Sequence, residues 1–211
     1  GGVGGRPNKP DERLVRSDGD LNTVEAARGE TNPFVTAPEP CGAPTWHPDG
    51  DRVAYIRDGT LWVHHVDGPV RGLTADTDFG PAADLFGPTP LMWDPAGDHL
   101  AVVVETAHES LGVAVYDAAE GTLAWADTPD YGDGFFMADF AWVGDGHLVY
   151  AQDATTGDER VYRSVRLTED DGGVAIASDS VDGLLLPHSP VGHESGQLAL
   201  VSARTGYRHV Y

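Results

Sequence analysis

A chain of 211 residues can bury a substantial core, either as one large domain or as two small ones. Its 34 acidic and 13 basic residues give a formal net charge of −21, which excludes the basic surface that nucleic-acid binding requires. The acidic residues are dispersed over the whole chain, a pattern typical of halophilic proteins, so we expect stability to increase with salt. No apolar run is long enough to predict a membrane-spanning helix, and we expect no membrane partner.

The single cysteine, Cys41, rules out an internal disulfide and does not require an oxidising compartment. The first residues show no basic segment followed by an apolar one, which is the pattern of a secretory leader. These two features favour a cytoplasmic protein. Residues 1–12 contain four glycines and two prolines without periodicity, and this composition predicts a flexible N-terminal segment.

A repeated pattern of strands and turns is clearest in the stretch Pro44–Val63. It holds Trp46, a Pro-Asp-Gly turn, an apolar run, an Asp-Gly turn and a second alternating run. This order predicts three strands joined by two tight turns. The block that begins at Trp46 recurs at Trp93 and at Trp142, and a fourth copy in residues 190–200 keeps the apolar strand but lacks the aromatic residue.

The spacing of the copies predicts the fold. The apolar residue that opens the second strand of each copy stands at position 53, 100, 148 or 198. Such a period, with alternating strands and Gly-rich turns, is typical of a β-propeller in which each repeat is one four-stranded blade. We therefore predict an all-β propeller domain over residues 13–211, with about three full and two partial blades in the approximate units 13–42, 43–89, 90–135, 136–183 and 184–211. Because a blade cannot cover its own apolar faces, it stacks on its neighbours, and we expect Trp46, Trp93 and Trp142 to pack between blades.

The two outer units are incomplete. Residues 13–42 match the unit without its first strand, and the last unit stops within its third strand, at Arg208–Tyr211. We therefore expect an incomplete ring that belongs to a longer propeller. Open sheet edges at both ends can pair with other chains, so we also expect self-association.

Two motifs carry a family resemblance, which covers about residues 13–211. The sequence Trp-His-Pro-Asp-Gly-Asp-Arg-Val-Ala, beginning at Trp46, resembles the repeat of TolB-like propellers and of the N-terminal propeller of prolyl oligopeptidase and dipeptidyl peptidase IV-like serine peptidases. The segment Ser202–Tyr211 ends in Gly-Tyr-Arg-His-Val-Tyr and is similar to the Gly-Tyr-x-His-apolar-Tyr strand of the dipeptidyl peptidase branch.

The resemblance implies a larger enzyme, in which a propeller restricts access to an α/β-hydrolase domain that cuts short peptides after proline or a similar small residue. The catalytic Ser, Asp and His of such an enzyme, and with them its peptide substrate, belong to a hydrolase domain absent from this sequence. Dipeptidyl peptidases hold the substrate amino terminus with adjacent glutamates, and no Glu-Glu pair occurs here. Exopeptidase specificity therefore stays open. The alternative is a non-catalytic TolB-like or WD-repeat-like propeller that binds protein partners.

The segment from Asp127 to Phe136 is longer than a tight turn and combines three carboxylates with aromatic residues. Because loops between blades carry function in propellers, we predict that Tyr131, Phe135 and Phe136 contact substrate. The carboxylates could hold a hard cation, but their spacing is not that of an EF-hand, and a solvated acidic loop is the simpler interpretation. We predict no metal, no cofactor and no catalytic residue in this sequence.

The closest approach to a nucleophile motif is Gly192–Gly196. A nucleophile elbow has the pattern Gly-x-Ser-x-Gly at a sharp strand-to-helix turn, whereas here Ser195 is misplaced by one position and falls in a predicted hairpin turn. We therefore do not assign Ser195 as a nucleophile.

The histidines do not predict a metal site. His64 and His65 are adjacent on a predicted strand, so their side chains leave opposite faces and cannot share one metal. We expect one of them to pack and the other to be solvated. A second pair of histidines takes the polar turn position that arginine or glutamine takes in the other copies, namely His99 and His147 against Arg52 and Gln197.

Overall fold

The computed structural model describes residues 12–17, 20–25, 31–35, 41–73, 79–82, 91–106, 111–128, 135–144, 146–154, 159–167, 174–180, 191–202 and 209–210. All regular structure in these ranges is antiparallel β-strand, in sheets whose neighbouring strands mostly follow each other along the chain. This arrangement confirms the predicted all-β class and the partial propeller. Residues 1–11 and Tyr131 lie outside the described part.

The first sheet contains strands β1 (Glu12–Ser17), β2 (Asp20–Glu25) and β3 (Thr31–Val35), in that order. Leu21 of β2 pairs with Val35 of β3. This three-stranded sheet is the predicted partial copy of the repeated unit.

The second sheet is a complete four-stranded unit. Its strands are β4 (Cys41–Trp46), β5 (Arg52–Arg57), β6 (Thr60–His65) and β7 (Val70–Gly72). The Asp-Gly turn between β5 and β6 places Asp58 and Gly59 at positive φ, 48° and 65°. Asp and Gly tolerate this left-handed conformation better than most residues, which explains why this pair joins the two strands.

The third sheet contains β8 (Phe79–Pro81), β9 (Leu91–Trp93), β10 (His99–Thr106), β11 (Leu111–Asp117) and β12 (Leu123–Asp127). Strands β8 and β9 both pair with β10, β9 along its first residues and β8 along its last. Because β9 is shorter than β10, β8 supplies the remaining hydrogen-bond partners. The third sheet therefore contains residues from both sides of position 89.

The fourth sheet contains β13 (Phe135–Val143), β14 (His147–Ala154), β15 (Glu159–Arg166) and β16 (Val174–Ser180). The last unit has β17 (Val191–Gly192) paired with β18 (Leu198–Ala199), and β19 (Val201–Ser202) paired with β20 (His209–Val210).

The turn between the first and second strands is built in the same way in three units. The amide of its glycine donates to the carbonyl of the turn's first residue, at 2.7–3.0 Å, in the pairs Gly50–His47, Gly97–Asp94 and Gly196–His193. These glycines have φ between 64° and 82°, a conformation that a side chain disfavours. We call the end of the sheets that carries these turns the turn end, and the opposite end, where one sheet connects to the next, the linker end.

The core lies in the seams between neighbouring sheets. Trp93 is 6% exposed and clusters with Ala54 and Val63 of the preceding sheet. Trp142 is 5% exposed and clusters with Ala101 and Val115 of its preceding sheet, and the partly buried Trp46 packs on the core between the first two sheets. The predicted position of the three tryptophans between blades is confirmed.

In two of these seams, the tryptophan also donates a hydrogen bond to the backbone of the preceding sheet. The indole N–H of Trp93 donates to the carbonyl of Thr45 at 3.4 Å, and that of Trp142 donates to the carbonyl of Met92 at 3.1 Å. In both cases the acceptor directly precedes the tryptophan of the unit before. The hydrogen bond satisfies the polar atom of a side chain that is otherwise buried among apolar groups.

Candidate functional site

The predicted substrate-contact segment leaves and re-enters the sheets at the linker end. Asp127 is the last residue of β12, and Phe135 and Phe136 are the first residues of β13. Their backbones pair with Ala154 and Asp153 of β14, while their side chains lie outside the described part of the structure. Contact of these two phenylalanines and of Tyr131 with substrate stays a prediction.

Asp127 is the centre of a hydrogen-bond network between the third and fourth sheets. Its Oδ2 accepts the phenol O–H of Tyr150 at 2.6 Å and the Nε2–H of Gln152 at 3.3 Å. The Oε1 of Gln152 accepts Nε–H of Arg163 at 2.6 Å. Burial, together with the hydrogen bond and charge of Asp127, raises the pKa of Tyr150. The phenol therefore stays protonated and remains a donor.

A buried ion pair lies beside this network. Nε and Nη2 of Arg160 donate to Oδ1 and Oδ2 of Asp153 at 2.5 and 2.7 Å. Arg160 is 2% exposed and Asp153 is 8% exposed. Burial by itself lowers the pKa of Arg160, but its hydrogen bond to Asp153 and the charge of that carboxylate outweigh burial and raise it. The guanidinium of Arg160 therefore stays charged, and the contact has the two-pronged geometry of a strong charge-assisted hydrogen bond.

The two groups together hold both ends of the segment between the third and fourth sheets. Asp127, at its start, is bound by side chains of β14, and the backbone of Phe136, at its end, pairs with Asp153 of the same strand. Both carboxylates accept hydrogen bonds from fixed donors. These hydrogen bonds fix the positions of both carboxylates, so the two groups act as a positioning cluster.

The sequence alone did not predict the roles of Tyr150, Gln152, Asp153, Arg160 and Arg163. One signal was available, because Tyr150 and Gln152 lie on the same face of β14 as the apolar Leu148 and Ala154, where a polar residue needs a partner. The identity of the partners was not predictable, since they lie on other strands.

Ser195 lies in the hairpin between β17 and β18, as the sequence predicts, and is exposed. Its Oγ is 2.8 Å from Nδ1 of His193, but the same nitrogen accepts the Ser195 amide N–H at 3.1 Å, and Oγ donates to Oε1 of Gln197 at 3.2 Å. A nucleophile elbow lies at a sharp strand-to-helix turn. Ser195 lies instead in an exposed hairpin between two strands, and its polar contacts are those of a stabilised turn.

His47 has a role that its sequence position did not reveal. It is 2% exposed, its Nδ1 accepts the amide N–H of Asp49 at 3.1 Å, and its Nε2 bonds the carbonyl of Gly97 in the next sheet at 2.9 Å. A Cβ at Gly97 would stand 2.0 Å from that nitrogen. The histidine therefore joins two turns at the turn end and requires glycine opposite it.

The other histidines have local partners. His64 packs against Phe34 with ring centroids 4.7 Å apart, as expected for one member of its pair. The shared turn position of His99 and Arg52 is confirmed, because the carbonyl of each accepts the amide at the start of its turn. In the described ranges, no three His, Cys, Asp or Glu side chains converge to form a metal site. The described residues also include no helix that could span a membrane.

No family model and no curated protein matches the sequence. Among solved structures, the dipeptidyl peptidase 4 of Porphyromonas gingivalis matches with a TM-score of 0.75 and 14% identity, over 95% of this chain and 35% of that one. A Bacteroides ovatus protein named as a dipeptidyl aminopeptidase IV matches with a TM-score of 0.67 and 13% identity, over 95% of this chain and 33% of that one. An Agrobacterium tumefaciens protein named as a TolB matches with a TM-score of 0.50 and 16% identity, over 86% of this chain and 60% of that one.

These likenesses establish the fold as the propeller architecture that the neighbours share. The chain spans about a third of the length of the two peptidases that it matches.

Proposed function

We propose that this chain is part of the substrate-gating propeller of a serine peptidase of the prolyl oligopeptidase and dipeptidyl peptidase class. The chain itself is not catalytic, and the nucleophile belongs to a hydrolase domain encoded elsewhere in the same protein. The observation that carries the proposal is the match over 95% of the chain to a dipeptidyl peptidase 4 at a TM-score of 0.75, against 0.50 for the TolB-named protein. The Gly206–Tyr211 motif supports the same branch.

The test is a covalent label on the protein encoded by the complete reading frame. A fluorophosphonate probe reacts with an activated serine nucleophile, and we expect it to label this protein and to abolish release of nitroaniline from Gly-Pro-p-nitroanilide. A complete protein that is well folded, unlabelled and without a Gly-x-Ser-x-Gly elbow would exclude the peptidase and favour the TolB-like scaffold.

Gating requires a separate measurement. If the propeller restricts access, kcat/KM should fall steeply along a series of peptides that share one cleavage site and increase only in length. The control for loss of active enzyme is a covalent inhibitor, which should label the serine at the same rate in all samples. Equal kcat/KM across the series would contradict a gate while leaving the peptidase assignment intact.

The predicted contact residues have their own readout. Alanine at Tyr131 or Phe136 should raise KM for peptide substrates several-fold, with kcat nearly unchanged, because these side chains would bind ground state and transition state alike. The matched control is Trp62→Ala, which removes a partly buried aromatic side chain from another sheet.

A further inference from the structure

The seam between the fourth sheet and the last unit differs from the two seams before it. In the third and fourth sheets, the apolar residue near the start of the second repeat strand pairs with a tryptophan of the first. These pairs are Leu100 with Trp93 and Leu148 with Trp142. In the last unit the residue opposite Leu198 is Gly192. Position 192 therefore carries no side chain equivalent to the tryptophans that fill the two earlier seams.

The place where that side chain would lie can be read from the repeat. Trp93 clusters with the cross-strand pair Ala54–Val63, and Trp142 clusters with the equivalent pair Ala101–Val115. The equivalent pair of the fourth sheet is Val149–Ser164. Both members of this pair line an empty cleft of about 380 Å³.

The cleft also keeps the residue that covers the tryptophan in the other seams. Cζ of Arg52 lies 5.9 Å from the ring centroid of Trp93, and the ring of His99 lies 6.4 Å from that of Trp142. The residue at this position in the fourth sheet is His147, which lines the cleft. One wall therefore presents an imidazole to a ring that position 192 does not supply.

The last unit cannot fill the cleft from position 192. A Cβ there would stand 1.8 Å from the carbonyl oxygen of Trp142, a distance that no side chain can adopt. Ser164, where the preceding sheet has Val115, adds a hydroxyl to the inner wall, and Arg166 and Glu194 add one charge of each sign. The volume is within the range of about 300–1,000 Å³ that is usual for small-molecule sites.

We propose that this cleft binds an aromatic ring from outside the chain, of the indole or phenol class, in the place that tryptophan takes in the two preceding seams. The ring lies on Val149 and Ser164 and against His147, and its N–H or O–H donates to a polar group of the wall. Such a ring can come from two sources, a free small aromatic molecule or a Trp or Tyr side chain of a peptide. This site is independent of the proposed peptidase function.

The first experiment is an NMR titration of the chain with 5-fluoroindole, followed by ¹⁹F of the probe and by the ring protons of histidine. We expect saturable binding with a dissociation constant on the order of 1 mM, as befits a small fragment. A ring placed against His147 shifts the ring protons of that histidine, whereas those of His47 and His64, which lie at the second sheet, stay unchanged. Absence of saturable binding, or shifts spread equally over the histidines, would overturn the proposal.

The second experiment fills the cleft. Ser164→Trp places an indole on the wall that the probe would occupy, and it should weaken 5-fluoroindole binding by at least about tenfold. Ser178→Trp, on the exposed part of β16, is the matched control and should bind like the unmodified chain. Unchanged binding by the Ser164 variant would refute the site. If that variant does not fold, His147→Ala serves instead, with a loss of several-fold in affinity expected.

The third experiment separates the two sources of the ring. N-acetyl-tryptophanamide and a short peptide with a central tryptophan are compared with indole in the same titration. Tighter binding of the peptide assigns the cleft to a peptide side chain, and tighter binding of indole assigns it to a small aromatic molecule. Either result supports the aromatic site, while preference for cyclohexane-bearing analogues over the aromatic ones would contradict it.

Discussion

Replacing Arg160 by methionine tests the role of the buried ion pair at the linker end. Methionine fills a similar volume but leaves the carboxylate of Asp153, which is 8% exposed, without its two-pronged partner. Removing one member of a buried pair typically costs about 3–5 kcal/mol. Since domains are stable by about 5–15 kcal/mol, we expect the loss of roughly a fifth or more of the free energy of unfolding.

The double variant Asp153→Leu with Arg160→Met is the informative control. It removes both charges and leaves apolar side chains of similar size, so the unpaired carboxylate no longer exists. Replacement of an entire buried pair is often neutral or stabilising, and we expect the double variant to recover most of the loss. Urea unfolding followed by circular dichroism measures all three proteins, and an unchanged m-value shows that the same transition is compared.

Two results would refute this reasoning. If Arg160→Met unfolds at the same urea concentration as the unmodified chain, the pair contributes nothing at this position. If the double variant is as unstable as the single one, the cost arises from lost packing of the arginine stem or from its contact with Tyr162, not from an unpaired charge.

Three further predictions concern the seams, pH and salt. Trp142→Ala should cost about 3–5 kcal/mol in urea unfolding, because it empties a buried seam, and Trp142→Phe should recover all but about 1 kcal/mol, the hydrogen bond to Met92. Burial and the charge of His65 lower the pKa of His64 below its ordinary 6.5. Because the unfolded chain then binds more protons than the folded chain, the free energy of unfolding should fall as the pH drops below 6.5. The variant His64→Phe should remove this pH-dependent part of the stability. A net charge of −21 predicts a thermal midpoint that rises with NaCl into the molar range, and a midpoint independent of salt would contradict the halophilic interpretation.

The sequence by itself determined the strands, most of their turns and their grouping into repeated units. These features follow local rules: side chains alternate along a strand, and left-handed turn positions such as those of Gly50 and Gly97 require glycine. The repeat also predicted that Trp93 and Trp142 pack between sheets, because one apolar sheet face needs another to cover it.

Only the tertiary structure decided which polar groups meet across the seams and which strand completes a sheet. Asp127 meets Tyr150, and β8 joins β10, through contacts between residues far apart in the chain, for which no local pattern exists. The sequence showed that the fourth copy lacks its tryptophan. The structure alone showed that Gly192 lies too close to the backbone of Trp142 to carry any side chain, so that position 192 supplies no ring to the cleft beside His147.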